Sequence, residues 1–225
     1  MCGRYTQTLD LAALLARFGA SAPASEPPAW RRFNIAPSQQ APVIIHEAGR
    51  RLESLRWGLI PPWAKDPRIG SKLINARAET LLQKPSFKRP FLKTRCLVPA
   101  DGFYEWKRTL GAGLKTPLRF VLRSGEPFAM AGLWDAWRDA EGRAVRSFAI
   151  ITTAANELMR PVHDRMPLIL PREHEAAWLD PAADPAALTR LLEPSAAPDM
   201  SATEVSTLVN SPKNDLPACL EPAGP

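Results

Sequence analysis

The sequence predicts a mixed α+β fold: a single domain built on a curved, mainly antiparallel β-sheet with a barrel-like core and peripheral short helices. Segments with strand character outnumber helical ones and do not alternate with them, which argues against a doubly wound parallel sheet. The 225 residues, 45% of them hydrophobic, suffice for one sizeable core. We expect one domain over residues 1–225, with about 215–225 as a loose C-terminal tail.

The first predicted element is a helix within residues 9–19, LDLAALLARFG. Its leucines and phenylalanine recur on one face, Asp10 can cap the start, and Gly19 can end the helix. The proline- and serine-rich residues 20–30 that follow predict a surface loop.

The remaining predicted elements are mostly strands, because short runs rich in β-branched and aromatic residues are bounded by turn residues. The predicted strands are residues 43–47, 52–60, 95–100, 102–106, 118–122, 128–137, 146–154, 166–170 and 204–209. Helical patterns occur at residues 76–82, 86–94, 155–160, 171–179 and 185–193. Pro171 suits a first helical position, and Asp184 can cap the last helix.

Composition limits the possible function classes. No apolar run approaches the ~18 residues of a membrane span, and no secretion signal is present, so we expect a soluble, intracellular protein. The three cysteines are too few for a disulfide scaffold and lack zinc-ligand spacing, so neither a metal nor a cofactor is expected. The net charge of +6 favours a polyanionic partner.

The chain begins MCGRY, which places Cys2 directly after the initiator methionine. Loss of Met1 would leave Cys2 with an α-amine and a thiol on adjacent carbons, with pKa values of about 7.7–8.0 and about 8.5 when exposed. Such a group traps aldehydes: the amine forms an imine, and the thiol closes a five-membered thiazolidine in a favourable intramolecular step. The alternative is that Cys2 is a small buried hydrophobic residue.

Two further residues are candidates for proton transfer. Glu105 lies among aromatic residues in GFYEW, where desolvation would let a carboxyl group both give and take protons. His163, in PVHDRMP, lies between a predicted short helix and a predicted strand, where a side chain can face a cleft. The structural alternatives are a solvated or ion-paired glutamate and a hydrogen-bonded loop histidine.

Asn75 and Arg77, in LINARAE, can bind the substrate or the N-terminal nucleophile and a phosphate, respectively. Alternatively, Asn75 caps a helix and Arg77 is solvated. Trp57 and Trp63 flank a proline-containing turn and are interleaved with basic residues, a pattern typical of single-stranded nucleic acid binding but also of core packing. The basic residues are Lys65, Arg68 and Lys72.

Six sequence blocks, MCGRY, FNIAPSQ, RWGLIPPWA, INARAET, CLVPADGFYEWK and HDRMPLIL, occur in this order, and VSTLVNSPKND follows near the C-terminus. Together they resemble the SRAP family, the SOS-response-associated peptidases that process abasic sites in single-stranded DNA. The resemblance covers nearly the whole chain. It implies that Met1 is removed, possibly by the protein's own site, and that Cys2 forms a thiazolidine with the abasic-site aldehyde.

The resemblance also implies roles for the candidate residues. Glu105 resembles the family's acid/base residue, His163 the residue that assists imine chemistry and cross-link reversal, and Asn75 the amide that positions the reacting groups. The expected DNA contacts are Arg4, Trp57, Trp63, Arg77 and Arg165.

We therefore expect a monomeric protein that caps abasic sites in single-stranded DNA, located in the bacterial cytoplasm and associated with the nucleoid when bound to DNA. Two alternatives are a thiol peptidase or amidohydrolase with Cys2 as nucleophile, and a non-covalent single-stranded DNA-binding module.

Overall fold

A computed structural model describes residues 2–23, 29–108, 115–192 and 199–223. The strands are β1 (Tyr5–Gln7), β2 (Arg32–Ile35), β3 (Gln40–His46), β4 (Arg50–Trp57), β5 (Asn75–Arg77), β6 (Arg95–Ala100), β7 (Gly102–Arg108), β8 (Lys115–Leu122), β9 (Phe128–Arg138), β10 (Ala144–Ala154), β11 (Arg165–Pro167), β12 (Ile169–Leu170) and β13 (Met200–Glu204). The α-helices are α1 (Leu11–Phe18), α2 (Pro85–Lys93), α3 (Glu175–Leu179) and α4 (Pro185–Arg190). The 3₁₀ helices are Pro67–Lys72, Ala78–Thr80, Arg172–His174, Thr207–Asn210 and Pro217–Leu220.

Five strands close into a barrel in the order β4, β3, β6, β9 and β10. Four of the five pairings in this ring are antiparallel. The ring is closed by the parallel pairing of β4 with β10, in which Arg56 lies opposite Ser147 and Trp57 opposite Phe148. The predicted α+β fold with a mainly antiparallel, barrel-like core is confirmed.

A second sheet has the strand order β13, β8, β7, β1 and β2, with antiparallel pairing throughout. The N-terminal strand β1 lies beside β7, with Tyr5 opposite Phe103. This pairing places the start of the chain next to the strand that carries Glu105.

The barrel strands are buried on both faces. One face joins Cys2, Tyr5 and residues of the second sheet in a buried group that we call the Cys2 cluster. The other face packs under the helices in a group that we call the Trp178 cluster. Helix α1 belongs to the latter through Leu14 and Phe18.

Two short strands flank β10 and position the residues of interest. Strand β5 pairs with it in parallel, with Asn75 opposite Ile150 and Arg77 opposite Thr152. Strand β11 pairs with it in the antiparallel sense, with Arg165 opposite Ala154. Strands β5 and β11 both pair with the C-terminal end of β10, so Asn75 and the turn that carries His163 lie at the same end of the barrel.

The predicted caps of α1 are confirmed. The Asp10 carboxylate accepts a hydrogen bond from the Ala13 backbone N–H at 2.9 Å. Gly19 ends the helix in the left-handed region, with φ of 56°. Asp184 likewise caps α4 by accepting a hydrogen bond from the Ala187 N–H.

Three secondary-structure predictions are wrong. Residues 76–82 begin as strand and continue as a 3₁₀ helix, because β10 offers its edge to the backbone of Asn75–Arg77. Residues 155–160 form no helix, and 157–160 are turn residues, since the segment is short and Pro161 stops a helix from propagating. The last strand is β13, and residues 207–210 form a 3₁₀ helix whose first turn is capped by Ser206.

The prediction of a loose tail over residues 215–225 is also wrong for the residues that the structure describes. Pro217–Leu220 is a 3₁₀ helix, and the Cys219 side chain is fully buried beside Tyr104, Val205 and Val209. The Ala223 N–H donates to the Glu204 carbonyl at 3.0 Å. Residues 224 and 225, part of the predicted loop 20–30 and Glu193 lie outside the described residues.

All three cysteines are free and buried. Among the described residues, no helix has the length and apolar character needed to cross a membrane.

Candidate active site around Cys2

Cys2 enters the core immediately before β1, and its side chain is fully buried in the Cys2 cluster. The Asn75 side chain holds its backbone: Nδ2 donates to the Cys2 carbonyl oxygen at 2.8 Å. This contact joins residues that are 73 positions apart in the chain. The second residue of the sequence is therefore fixed against β5.

The Cys2 thiol is strongly influenced by its surroundings. Burial raises the pKa of the thiol far above its ordinary value, and the negative charge of Glu105 raises it further, while a hydrogen bond from the Arg4 backbone partly opposes both effects. The thiol is consequently protonated at neutral pH. A reaction at sulfur needs a base to remove this proton, and Glu105 is a charged group whose field reaches the thiol.

Glu105 is itself buried, with 7% of its surface exposed. It lies on β7 opposite Leu118 of β8, in the segment that also carries Phe103 and Tyr104. Of the aromatic neighbours in the sequence, Phe103 shares the face of Glu105 on β7 and is buried in the Cys2 cluster, whereas Tyr104 points to the opposite face and is buried beside Cys219. The arrangement places a poorly hydrated carboxyl group near the buried thiol.

Asn75 has a second polar atom at this site. Its Oδ1 is buried and has no hydrogen-bond partner within the described part of the chain. Since a buried amide oxygen normally accepts a hydrogen bond, this atom can receive one from a group that binds at Cys2. Asn75 begins β5 and does not cap a helix, so the alternative drawn from the sequence is wrong.

His163 lies in the turn before β11, next to Val162, which packs against the Cys2 cluster. Its Nδ1 accepts a hydrogen bond from the Arg165 backbone N–H at 2.9 Å and lies 2.8 Å from the Asp164 carboxylate. The two contacts require different protonation states of Nδ1. We favour the Arg165 contact, because the Asp164 side chain is 84% exposed and its charge is screened by water. The neutral imidazole then carries its proton on Nε2.

The two tryptophans predicted to contact DNA occupy opposite environments. Trp57 is fully buried, donates from Nε1 to the Ile74 carbonyl at 2.9 Å, and contacts the Tyr5 and Phe148 rings. A side chain in this position cannot stack on a base, so its predicted role in stacking is wrong. Trp63 is 58% exposed and lines a surface pocket of about 430 Å³. The other residues of this pocket include Lys65, Arg68 and Lys72.

The three arginines predicted to contact DNA also differ in their exposure and in their partners within the protein. The Arg77 side chain is exposed, as a phosphate contact requires. The Arg4 guanidinium is half-buried: Nη1 donates to Asn34 Oδ1 at 2.8 Å and to the Val209 carbonyl at 2.7 Å. The Arg165 side chain is 13% exposed and is paired with Glu79. Arg4 and Arg165 are thus engaged within the protein.

Sequence reasoning missed the residues that hold the C-terminal segment against the N-terminal strands. Asn34 Nδ2 lies within hydrogen-bond distance of three backbone carbonyl oxygens in residues 209–214 and shares its two N–H groups among them. The Asp215 carboxylate accepts from the Phe33 and Asn34 N–H groups and pairs with Arg32. The signal was present as polar residues in the blocks FNIAPSQ and VSTLVNSPKND, but their partners are distant in sequence.

No cluster of three or more potential metal-ligating side chains occurs in the described ranges. The geometry defines a class: an α+β barrel protein whose second residue is a buried cysteine, bound by an amide and influenced by a carboxylate from two distant strands. The family model described as SOS response associated peptidase (SRAP) matches residues 1–212, and the chain belongs to this family.

Curated relatives cover the chain from end to end. "Abasic site processing protein YoqW" of Bacillus subtilis is 49% identical over 98% of this chain and 99% of its own length. "Abasic site processing protein HMCES" of Gallus gallus is 33% identical over 99% of this chain and 78% of its own length. Among solved structures, a protein from Bacteroides thetaiotaomicron superposes with a TM-score of 0.85 at 29% identity, covering 99% of this chain and 100% of that one.

Proposed function

We propose that this protein processes abasic sites in single-stranded DNA by forming a thiazolidine cross-link between Cys2 and the aldehyde of the ring-opened sugar. The contact between Asn75 and the Cys2 carbonyl supports this proposal most directly, because it brings two residues of the family blocks together at the buried thiol. The names of the curated relatives support the choice of aldehyde.

The reaction requires that Met1 has been removed, so that the Cys2 nitrogen is an amine. The amine adds to the aldehyde carbon, and loss of one water leaves an imine. The sulfur then attacks the imine carbon, forming the C–S bond, while the thiol proton is transferred to the imine nitrogen. No oxidant or reductant is involved, and one water is the net product.

Three side chains assist these steps. Glu105 accepts the proton of a thiol that burial keeps protonated, and delivers protons to the departing water or the nitrogen. Asn75 holds the Cys2 backbone and offers its buried Oδ1 to a hydroxyl or amine of the adduct. His163 presents Nε2–H when neutral and serves as a second proton donor during imine formation and cross-link reversal.

The DNA lies across the surface that carries Trp63 and Arg77. Exposed aromatic faces stack on bases irrespective of sequence, and the cations near Trp63 neutralise phosphates. Because Arg4 and Arg165 are engaged within the protein and Arg68 is paired with Asp66, we assign the phosphate contacts chiefly to Arg77 and to the two lysines of the pocket, Lys65 and Lys72. We further propose that the protein acts as a monomer and associates with the nucleoid through this DNA.

The same site is our candidate for removing Met1. The family is named for peptidases, and a thiol with a neighbouring carboxylate is suited to one intramolecular cleavage. Turnover of many external amide substrates would instead support a general thiol peptidase, the second candidate.

Denaturing electrophoresis after incubation with an abasic single-stranded oligonucleotide tests the proposed function. We expect a slowly migrating adduct with the protein that has lost Met1, as verified by intact mass. Cys2→Ala should form none, whereas the matched variant Cys219→Ala, which alters a cysteine in a different buried cluster, should retain it.

Two outcomes would contradict the proposal: absence of the adduct with the wild-type protein, or its persistence in Cys2→Ala. Equal lesion protection by Cys2→Ser and wild type would favour the non-covalent DNA-binding module.

A further inference from the structure

One ion pair connects the segment that carries Asn75 with the segment that carries His163. Glu79 lies in the 3₁₀ helix directly after β5, and Arg165 is the first residue of β11. The pair is bidentate: Arg165 Nη1 lies 2.6 Å from one Glu79 carboxylate oxygen, and Nη2 lies 2.9 Å from the other. Such paired hydrogen bonds fix both distance and orientation.

The Arg165 guanidinium has a third partner in the barrel. Nη2 donates to the Thr152 carbonyl at 2.5 Å. Thr152 lies on β10, where it pairs with Arg77 of β5 on one side and with Pro167 of β11 on the other. The Arg165 guanidinium therefore links the 3₁₀ helix after β5 to β10, the strand with which both β5 and β11 pair.

The backbone of the same arginine orients the histidine. The Arg165 N–H donates to His163 Nδ1, which leaves Nε2 as the protonated nitrogen of the neutral ring. A displacement of Arg165 would move this donor and so change one of the contacts that orient the imidazole. The Arg165 side chain is largely buried, whereas the Glu79 side chain is 52% exposed, so Glu79 is the accessible member of the pair.

We propose that Glu79 is a positioning residue for the cross-linking reaction: through Arg165, it holds the His163 imidazole in one tautomer and in a fixed place relative to Asn75. This inference rests on the proposed function. It also gives Arg165 a positioning role, since its guanidinium pairs with Glu79. Loss of Glu79 should therefore slow the chemical step without weakening DNA binding.

Single-turnover cross-linking at increasing concentrations of abasic oligonucleotide separates these two effects. We expect Glu79→Gln to lower the maximal rate roughly 10- to 100-fold, as small displacements of reacting groups do. The half-saturating DNA concentration should be unchanged or lower, because the freed arginine adds a positive charge. Arg165→Gln should lower the maximal rate similarly, and the double variant should show little further loss.

The matched control is Asp139→Asn, which breaks the Asp139–Arg143 pair on the hairpin between β9 and β10. Asp139→Asn should leave the maximal cross-linking rate and the half-saturating DNA concentration at wild-type values. Glu79→Asp keeps the charge and should restore part of the rate. A raised half-saturating concentration with an unchanged maximal rate would overturn the proposal and assign Glu79 and Arg165 to DNA binding.

An imidazole nitrogen NMR spectrum tests the positioning role without any DNA. The chain has three histidines, so His46→Gln and His174→Gln identify the His163 signals. We expect the Nε2–H tautomer in the wild type and a mixture of tautomers in Glu79→Gln. An unchanged His163 tautomer would overturn the proposal. If the wild-type protein forms no adduct, the proposed function fails, and this spectrum alone decides the role of Glu79.

Discussion

At the scale of single residues, environment separates side chains that the sequence presents as equivalent. Trp57 and Trp63 belong to the same block, yet one is fully buried and the other is 58% exposed. Arg77 is exposed, while Arg4 and Arg165 are bound by Asn34 and Glu79. The difference in each case arises from partners far away in the chain, so only the fold decides which residues are available to DNA.

The tryptophan pair gives the first prediction at this scale. Trp63→Ala should weaken binding to single-stranded DNA by about 1–3 kcal/mol, the usual contribution of one aromatic–base stack, with little change in thermal stability. Trp57→Ala should lower the free energy of unfolding by about 3–5 kcal/mol through loss of buried contacts. Fluorescence anisotropy and urea denaturation measure the two effects. Wild-type DNA affinity in Trp63→Ala would contradict this assignment.

A second residue-scale prediction concerns Glu105. Because burial and the Glu105 charge raise the pKa of the Cys2 thiol, the thiolate is scarce at neutral pH. In Glu105→Gln, solvent must remove the thiol proton, so the cross-linking rate should be low near neutrality and rise by up to about tenfold per pH unit. The wild-type rate should depend less on pH. Glu204→Gln, on strand β13, serves as the control, and a pH profile in Glu105→Gln identical to that of wild type would refute the role of Glu105 as base.

At the scale of secondary-structure elements, local signals predicted well and long-range pairing did not. Helix α1 was predicted because its cap, apolar face and terminal glycine all lie within one short segment. Residues 76–82 were predicted as helix because nothing local reveals that β10 will pair with Asn75–Arg77. The site shows the same limit: Cys2, Asn75 and Glu105 were predicted from the family blocks, but the Glu79–Arg165 pair spans 86 residues and left no local signal.

The loop that carries Trp63 gives a prediction at the element scale. Gly58 and Gly70 approach so closely that a Cβ on Gly70 would lie 2.7 Å from the Gly58 carbonyl oxygen. Gly70→Ala should therefore destabilise the protein by about 1–3 kcal/mol and displace the Pro67–Lys72 helix, weakening DNA binding. Urea denaturation and anisotropy provide the measurements.

Gly142→Ala is the comparison for this loop, because its added Cβ would meet nothing within 4 Å. Its φ of 81° should produce only a backbone strain of about 1 kcal/mol and unchanged DNA binding. Equal DNA affinity in both variants would show that the Gly58–Gly70 contact does not position the loop.

At the scale of the whole molecule, burial of ionisable groups makes the stability of the folded state depend on pH in the alkaline range. Burial raises the pKa of the Cys2 and Cys96 thiols and of the Tyr5 and Tyr104 hydroxyls above their ordinary values of 9.0 and 10.0. Below these ordinary values both the folded and the unfolded chain keep the protons. Above them the unfolded chain loses protons first, so unfolding becomes more favourable as pH rises.

We therefore predict that the free energy of unfolding falls above pH 9.0 and falls more steeply above pH 10.0, by up to about 1.4 kcal/mol per pH unit for each group. Urea denaturation across this pH range measures how steeply the free energy of unfolding falls with pH. Cys96→Ala should make this slope smaller by the contribution of one titrating group. Since the chain has two tyrosines, the ultraviolet absorbance of tyrosinate should rise only with unfolding. Tyrosinate in the folded protein near pH 10.0 would contradict the prediction.

Cys2 belongs to a buried cluster whose members lie as far along the chain as Met166 and Met200, so this cluster cannot be complete early in translation. The cluster around Cys2 cannot form until most of the polypeptide has left the ribosome, which takes roughly 10–40 s at typical rates of synthesis. A cellular aminopeptidase therefore meets an accessible start of the nascent chain throughout that interval. Once the chain has folded, the Cys2 side chain is fully buried, so an external enzyme no longer meets Cys2 in its exposed form.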